Sequence, residues 1–110
     1  MTNNGFRSAK VFVDKSQAGV LRETDEGYVF AYNAEYAESA GKSISLTLPK
    51  RAEPYFSRTL FPFFDGLIPE GWLLNVVSRN WKLDEKDRFG LLLVACKDCV
   101  GNVSIEEEKE

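Results

Sequence analysis

Near its start the chain alternates apolar and polar residues in steps of two, in short segments parted only by turn residues, and few folds accommodate that pattern. Ala9 to Lys15 reads AKVFVDK, which sets Val11 and Val13 on one face and Lys10, Phe12 and Asp14 on the other. Ala18-Gly19 marks a turn or bulge before a second strand, Val20 to Thr24. Asp25-Glu26-Gly27 is a hairpin signal leading into Tyr28 to Tyr32. A helix cannot use a period of two, so these segments predict a three-stranded antiparallel meander.

Later segments change character. Asn33 to Gly41 is polar and predicts a short helical turn around Ala34 to Ala40, ended by Gly41. Ser43 to Leu48, SISLTL, alternates hydroxyl and aliphatic side chains as a half-buried strand would, with Pro49 as its stop. Lys50 to Thr59 reads as a loop. Phe61 to Leu67 predicts a short helix, and Pro69-Glu70-Gly71 the first turn of a longer one running to about Trp81, where proline is tolerated and acids are favoured. Asp84 or Asp87 is the expected cap of a further helix through Cys96, whose LLLVAC run is apolar all round and so buried. Cys99 to Ile105 closes the pattern as a strand, and residues 106–110 read as a solvated acidic tail. Strands, then helices, then one strand predict a single α+β domain over 1–110. It has a small antiparallel β-sheet, a meander plus a closing strand, and two to three helices packed on one face.

Composition narrows the chemistry. With 110 residues, 44% of them hydrophobic, the chain has the balance of one ordered globule. Its net charge of -3 offers no bulk attraction to nucleic-acid phosphates or anionic lipid. No stretch approaches the roughly 20 apolar residues of a membrane span, and MTNNGFRSAK is too polar for a signal peptide, so a cytoplasmic location is expected. There is no histidine. That removes Ser-His-Asp and Cys-His catalysis and the common imidazole base and leaves an enzyme only carboxylates, lysine or thiol. No feature supports a carboxylate pair in a cleft, and no catalytic residue, metal site or cofactor is expected.

Two motifs invite chemistry and fail on context. Cys96-Lys-Asp-Cys99 has thiol-oxidoreductase spacing, but it falls at a predicted helix end, where the dipole raises a thiol pKa, and two thiols cannot complete a zinc site. Ala40-Gly41-Lys42-Ser43 has the close of a phosphate-binding loop, yet Tyr36 occupies the position of the required earlier glycine. The rings of Tyr28, Phe30 and Tyr32 stand among acids, so they read as core rather than as a base-stacking platform. Trp72 is different. At about 100° per residue, Leu73, Leu74, Val77 and Trp81 form one stripe, and Trp72 lies roughly 150° from its centre. Asn75 and Arg79 flank it. The ring is either an interface anchor or buried from the sheet side.

Taken together, SLTLP at Ser45 to Pro49, PFFDGLIPEG at Pro62 to Gly71, DRFGLL at Asp87 to Leu92 and DCVGNV at Asp98 to Val103 resemble the N-terminal subdomain of HipA-type serine/threonine kinases, in order and in spacing. Gly66 departs from the family's asparagine, Ala95-Cys96-Lys97 from its small-residue turn, and Asn102 from its alanine. The resemblance implies that a full-length member continues past this chain's last residue into the kinase core, whose glycine-rich loop and catalytic aspartates are absent here. It implies a HipS-like antitoxin, a non-catalytic subunit that binds a separately encoded HipA-like kinase toxin and restrains it. A DNA-binding HipB-like protein is then a further partner through the complex. The expected partner-binding residues are Pro69, Glu70, Gly71, Trp72, Asn75 and Arg79. The alternative is a fragment or structural subunit that supports such a kinase core without inhibiting it.

Overall fold

The computed structural model describes residues 6–68, 87–95 and 102–108. Within them a five-stranded antiparallel sheet is built from β1 (Ser8–Val13), β2 (Ser16–Thr24), β3 (Gly27–Tyr32), β4 (Tyr55–Ser57) and β5 (Val103–Glu108), ordered β4-β3-β2-β1-β5. Three short helices are described beside it: α1 (Ala34–Ala37), α2 (Pro62–Asp65) and α3 (Arg88–Ala95). The expected α+β class, meander and closing strand are all present.

Period two sets the sheet's two faces. Ala9, Val11 and Val13 are buried, and Ser8, Lys10 and Phe12 between them are only half-covered. Leu21 opposite Ala9 and Phe30 opposite Leu21 extend the buried face across the sheet, and Ile105 opposite Val11 closes it. Phe64 of α2 meets Phe30 at 5.6 Å, Phe89 of α3 meets Tyr28 at 6.0 Å, and Tyr36 of α1 stacks on Tyr32 at 6.2 Å. Tyr28, Phe30 and Tyr32 are alternate residues of one strand, so all three helices lie on the same face. Of the rings read as core, Phe30 and Tyr32 are buried in it and Tyr28 packs against it, partly buried.

Several local expectations are corrected. The first turn is Asp14-Lys15, and of the two readings of Ala18-Gly19, turn or bulge, the bulge is the one that forms. Both residues have positive φ, 51° and 73°, the geometry that a two-residue hairpin needs to match strand twist. Ala18 is the extra residue of that bulge, because Val11 faces Gly19 while Phe12 faces Gln17. Side chains are excluded at Gly19, where a Cβ would sit 2.3 Å from the Ala31 carbonyl oxygen. The second hairpin is where it was expected. Gly27, with φ 152°, pairs with Thr24, and Thr24 Oγ1 accepts from Glu26 N and donates to the Gly27 carbonyl, both at 3.2 Å.

Helix α1 stops at Ala37 rather than running to Ala40, since Ser39 Oγ turns back to donate to the Tyr36 carbonyl and accepts from Gly41 N. The loop expected over Lys50 to Thr59 contains β4, paired through Val29 to Phe56. Strand β5 extends past Ile105. Glu106, Glu107 and Glu108 keep exposed side chains, as a solvated tail would, but their backbones pair with Lys10, Ala9 and Ser8.

The largest correction is at Ser43 to Leu48. No sheet strand forms there. Ser45 bridges Leu48 across a tight turn, which buries Ile44 and Leu48 but leaves Leu46 fully exposed. A strand would have put all three on one side. Among the described residues, no helix is long and apolar enough to cross a membrane.

Candidate functional site

All six residues expected to bind a partner, Pro69, Glu70, Gly71, Trp72, Asn75 and Arg79, lie outside the described residues, as do Asp84, Cys96 and Cys99. What the structure describes is the framework on either side of that segment. On its N-terminal side, Phe61 ends an extended stretch and Pro62 opens α2 at a position where its missing N–H costs nothing. Phe61, Phe64 and Ile68 are buried, and Phe63 and Leu67 pack partly against them. Phe64 is ringed by Phe30, Phe61 and Phe63, with centroids 5.2 to 6.1 Å away. Three residues of the run, Phe61, Phe64 and Ile68, are therefore core, the last of them the residue before Pro69.

On the C-terminal side, Asp87 caps α3: its Oδ1 accepts from the Gly90 backbone N–H at 3.1 Å, three residues on. The same carboxylate is held by a cation from the other end of the chain. Arg7 donates through Nη1 to Asp87 Oδ2 at 3.0 Å and through Nη2 to Oδ1 at 2.8 Å. Its Nε and Nη2 reach Glu23 Oε1 and Oε2 at 3.0 and 2.8 Å, and its backbone N–H donates to Oε1 at 2.9 Å. One planar guanidinium thus bridges two carboxylates in two forked pairs, the geometry that makes arginine hard to replace by lysine. Arg7 also lies 5.2 Å over the Phe89 ring. Its hydrogen bonds hold Asp87 below the usual carboxylate range, against a smaller opposing effect of burial.

Gly90 leaves room for this pair, as a Cβ there would stand 2.3 Å from Asp87 Oδ2 and 2.9 Å from Arg7 Nη1. A third ion pair, Arg88 Nε to Asp65 Oδ1 at 2.7 Å, ties α3 to α2. Each residue of DRFGLL thereby acquires a physical task. Asp87 caps the helix and Arg88 reaches α2. Phe89, Leu91 and Leu92 are fully buried, and Gly90 makes space for the ion pair.

The turn misread as a strand is the third ordered feature, and sequence reasoning missed it. Three tyrosine hydroxyls hold its stem. Tyr32 OH donates to the Leu48 carbonyl and accepts from Ile44 N at 3.0 Å. Tyr36 OH donates to the Lys42 carbonyl at 2.6 Å, and Tyr55 OH to that of Pro49 at 2.5 Å. Lys50 N–H donates to Ser43 Oγ at 3.0 Å, which closes the stem. Inside the turn, Leu48 N–H donates to the Ser45 carbonyl at 3.1 Å and Thr47 N–H to Ser45 Oγ at the same distance. Arg7 gave no local sequence signal either, because its carboxylates lie 16 and 80 positions away.

Among the described residues no cluster of metal-ligating side chains forms. The chain matches the HipA N-terminal domain family over residues 9–106. It is 41% identical over 104 residues to an uncharacterized protein of Haemophilus influenzae, covering 94% of this chain and 95% of that protein. A putative kinase of Sinorhizobium fredii, Y4mE, is 29% identical over 106 residues, which are 94% of this chain but only 25% of the kinase. A solved N-terminal domain of HipA toxin superposes with a TM-score of 0.72 at 35% identity, covering 94% of each chain. The chain belongs to the HipA N-terminal domain family.

Proposed function

We propose that the chain is a non-catalytic regulatory subunit, an antitoxin that binds a separately encoded HipA-like serine/threonine kinase and restrains its activity in the cytoplasm. The carrying observation is the contrast between two relatives: the same domain is a quarter of a putative kinase and nearly the whole of a small Haemophilus influenzae protein. A domain found both inside and apart from a kinase suits a subunit that docks in trans where its counterpart docks in cis. In this reading Pro69, Glu70, Gly71, Trp72, Asn75 and Arg79 contact the kinase, with the Trp72 ring as anchor, and a HipB-like DNA-binding protein joins through the complex. Aromatic and arginine anchors carry most of the free energy in interfaces of this kind.

The occurrence of the domain as one quarter of a kinase also favours a second reading, in which the subunit supports the core without inhibiting it. Autophosphorylation of the partner kinase with and without this chain separates the two. Restraint lowers phosphate incorporation on addition of the wild-type chain, whereas support leaves it unchanged or raised. Trp72→Ala, with its fold verified by circular dichroism, is expected to relieve restraint and weaken co-purification. An undiminished complex with that variant would remove Trp72 from the interface.

A further inference from the structure

Single exposed leucines are ordinary on protein surfaces. Leu46 is unusual in what holds it out. It is 100% exposed at the apex of a turn whose stem is tied by three tyrosine hydroxyls and the Ser43 hydroxyl, from strands and a helix of the core. Ser45 Oγ and Thr47 Oγ1, 2.9 Å apart, satisfy the turn internally, so the leucine has no local partner role. Loops built only to connect elements do not require such anchorage.

Charge adds a direction. Residues 42–51 contain Lys42, Lys50 and Arg51 and no acid, in a chain whose net charge is -3. Lys50 Nζ is 5.5 Å over the Tyr36 ring and donates to the Ser39 carbonyl, and the Tyr36 hydroxyl holds the Lys42 backbone, so both residues stand at the feet of the turn. Arg51 stacks on Tyr55 at 3.6 Å and donates to the Glu53 and Pro54 carbonyls, both at 3.0 Å.

We infer that the Ser45–Leu48 turn is a preformed prong whose Leu46 side chain inserts into an apolar socket with an acidic rim on the kinase chain. This rests on the reading of the chain as a kinase-binding subunit and adds a contact separate from residues 69–79. A rigid prong loses little conformational entropy on docking, and burial of one complete leucine side chain accounts for a change of roughly tenfold or more in affinity. The cations at its feet complement an acidic rim and accelerate encounter. A protein socket suits the turn better than a lipid surface, since Ser45 and Thr47 flank the leucine and membrane anchorage by one short apolar side chain is marginal.

The test is titration calorimetry of the full chain against the separately expressed HipA-like kinase, using wild type, Leu46→Ser, Leu46→Met and Lys42→Glu. Leu46→Ser is expected to raise Kd at least about tenfold at an unchanged melting temperature. Leu46→Met stays close to wild type, and Lys42→Glu weakens binding most at low salt. Undiminished binding by Leu46→Ser overturns the prong and leaves the parent reading intact. Absence of wild-type binding overturns both. Sedimentation and flotation on phosphatidylglycerol vesicles cover the other occupants. Loss of self-association, or of vesicle binding, in Leu46→Ser with kinase binding intact assigns the turn to a second copy or to lipid and overturns the proposal.

Discussion

Arg7 illustrates how one side chain can join distant parts of a small domain. Its exposure of 30% places it between a surface ion pair, worth under about 1 kcal/mol, and a buried one. The doubly forked geometry argues for the upper part of that interval. Arg7→Met is expected to cost about 2 kcal/mol in urea denaturation, because two carboxylates then face each other without a cation. Lysine at this position should rescue little, as it cannot form either fork. The pH dependence has a definite sign. Asp87 is depressed by Arg7, so its contribution is fully present above the carboxylate's unfolded pKa and is lost as pH falls through the lower folded value. The stability gap between wild type and Asp87→Asn should therefore be widest near neutral pH and shrink on acidification. A gap independent of pH would refute the linkage. Asp87 was one of two caps, with Asp84, legible from local sequence because capping is a short-range pattern. Its arginine partner was not, since nothing local marks an ion pair that spans the chain.

Ser43 to Leu48 shows why an element can be misread from a correct pattern. Alternation of hydroxyl and aliphatic residues fits a strand, and it fits equally a turn whose first and last aliphatic residues are buried. Three tyrosines from other elements decide between them. The same limit hid β4, whose three residues are too few to show a period. By contrast, β1, β3, α2 and the apolar α3 were readable, because each carries its own start or stop signal. In the candidate site, Trp72 and its neighbours could be recognised only by residue type and family resemblance. Tyr32→Phe tests the turn's tether. The substitution keeps the ring against Phe30 and Tyr36 but removes the hydroxyl shared by the Leu48 carbonyl and Ile44 N–H. Two buried backbone groups lose their partner, and a destabilisation of about 1–3 kcal/mol is expected, together with faster amide exchange at Ile44. Unchanged exchange at that amide would show that the turn stands without Tyr32.

At the scale of the whole molecule, the sheet is closed by the strand farthest from its start. Strand β5 pairs with β1, so the first and last described strands of the chain are neighbours, and loop closure over nearly the full length precedes that contact. The acidic end is part of this arrangement. If residues 106–110 were only a solvated tail, deleting them would leave stability unaltered. The pairing of Glu106–Glu108 with Ser8–Lys10 predicts otherwise, because truncation after Ile105 removes half of the β1–β5 ladder beside the Arg7 clamp. We expect a loss of about 1–2 kcal/mol, read as a fall in melting temperature of roughly 4–12 °C for a domain of this size. Amide protection should drop at Ser8 and Lys10 while Phe12 and Asp14, opposite Ser104 and Asn102, keep theirs. Replacing the three glutamates by glutamine separates backbone from charge. The substituted strand should retain protection at Ser8 and Lys10, whereas an equal loss in both variants would mean that charge rather than the ladder holds this edge.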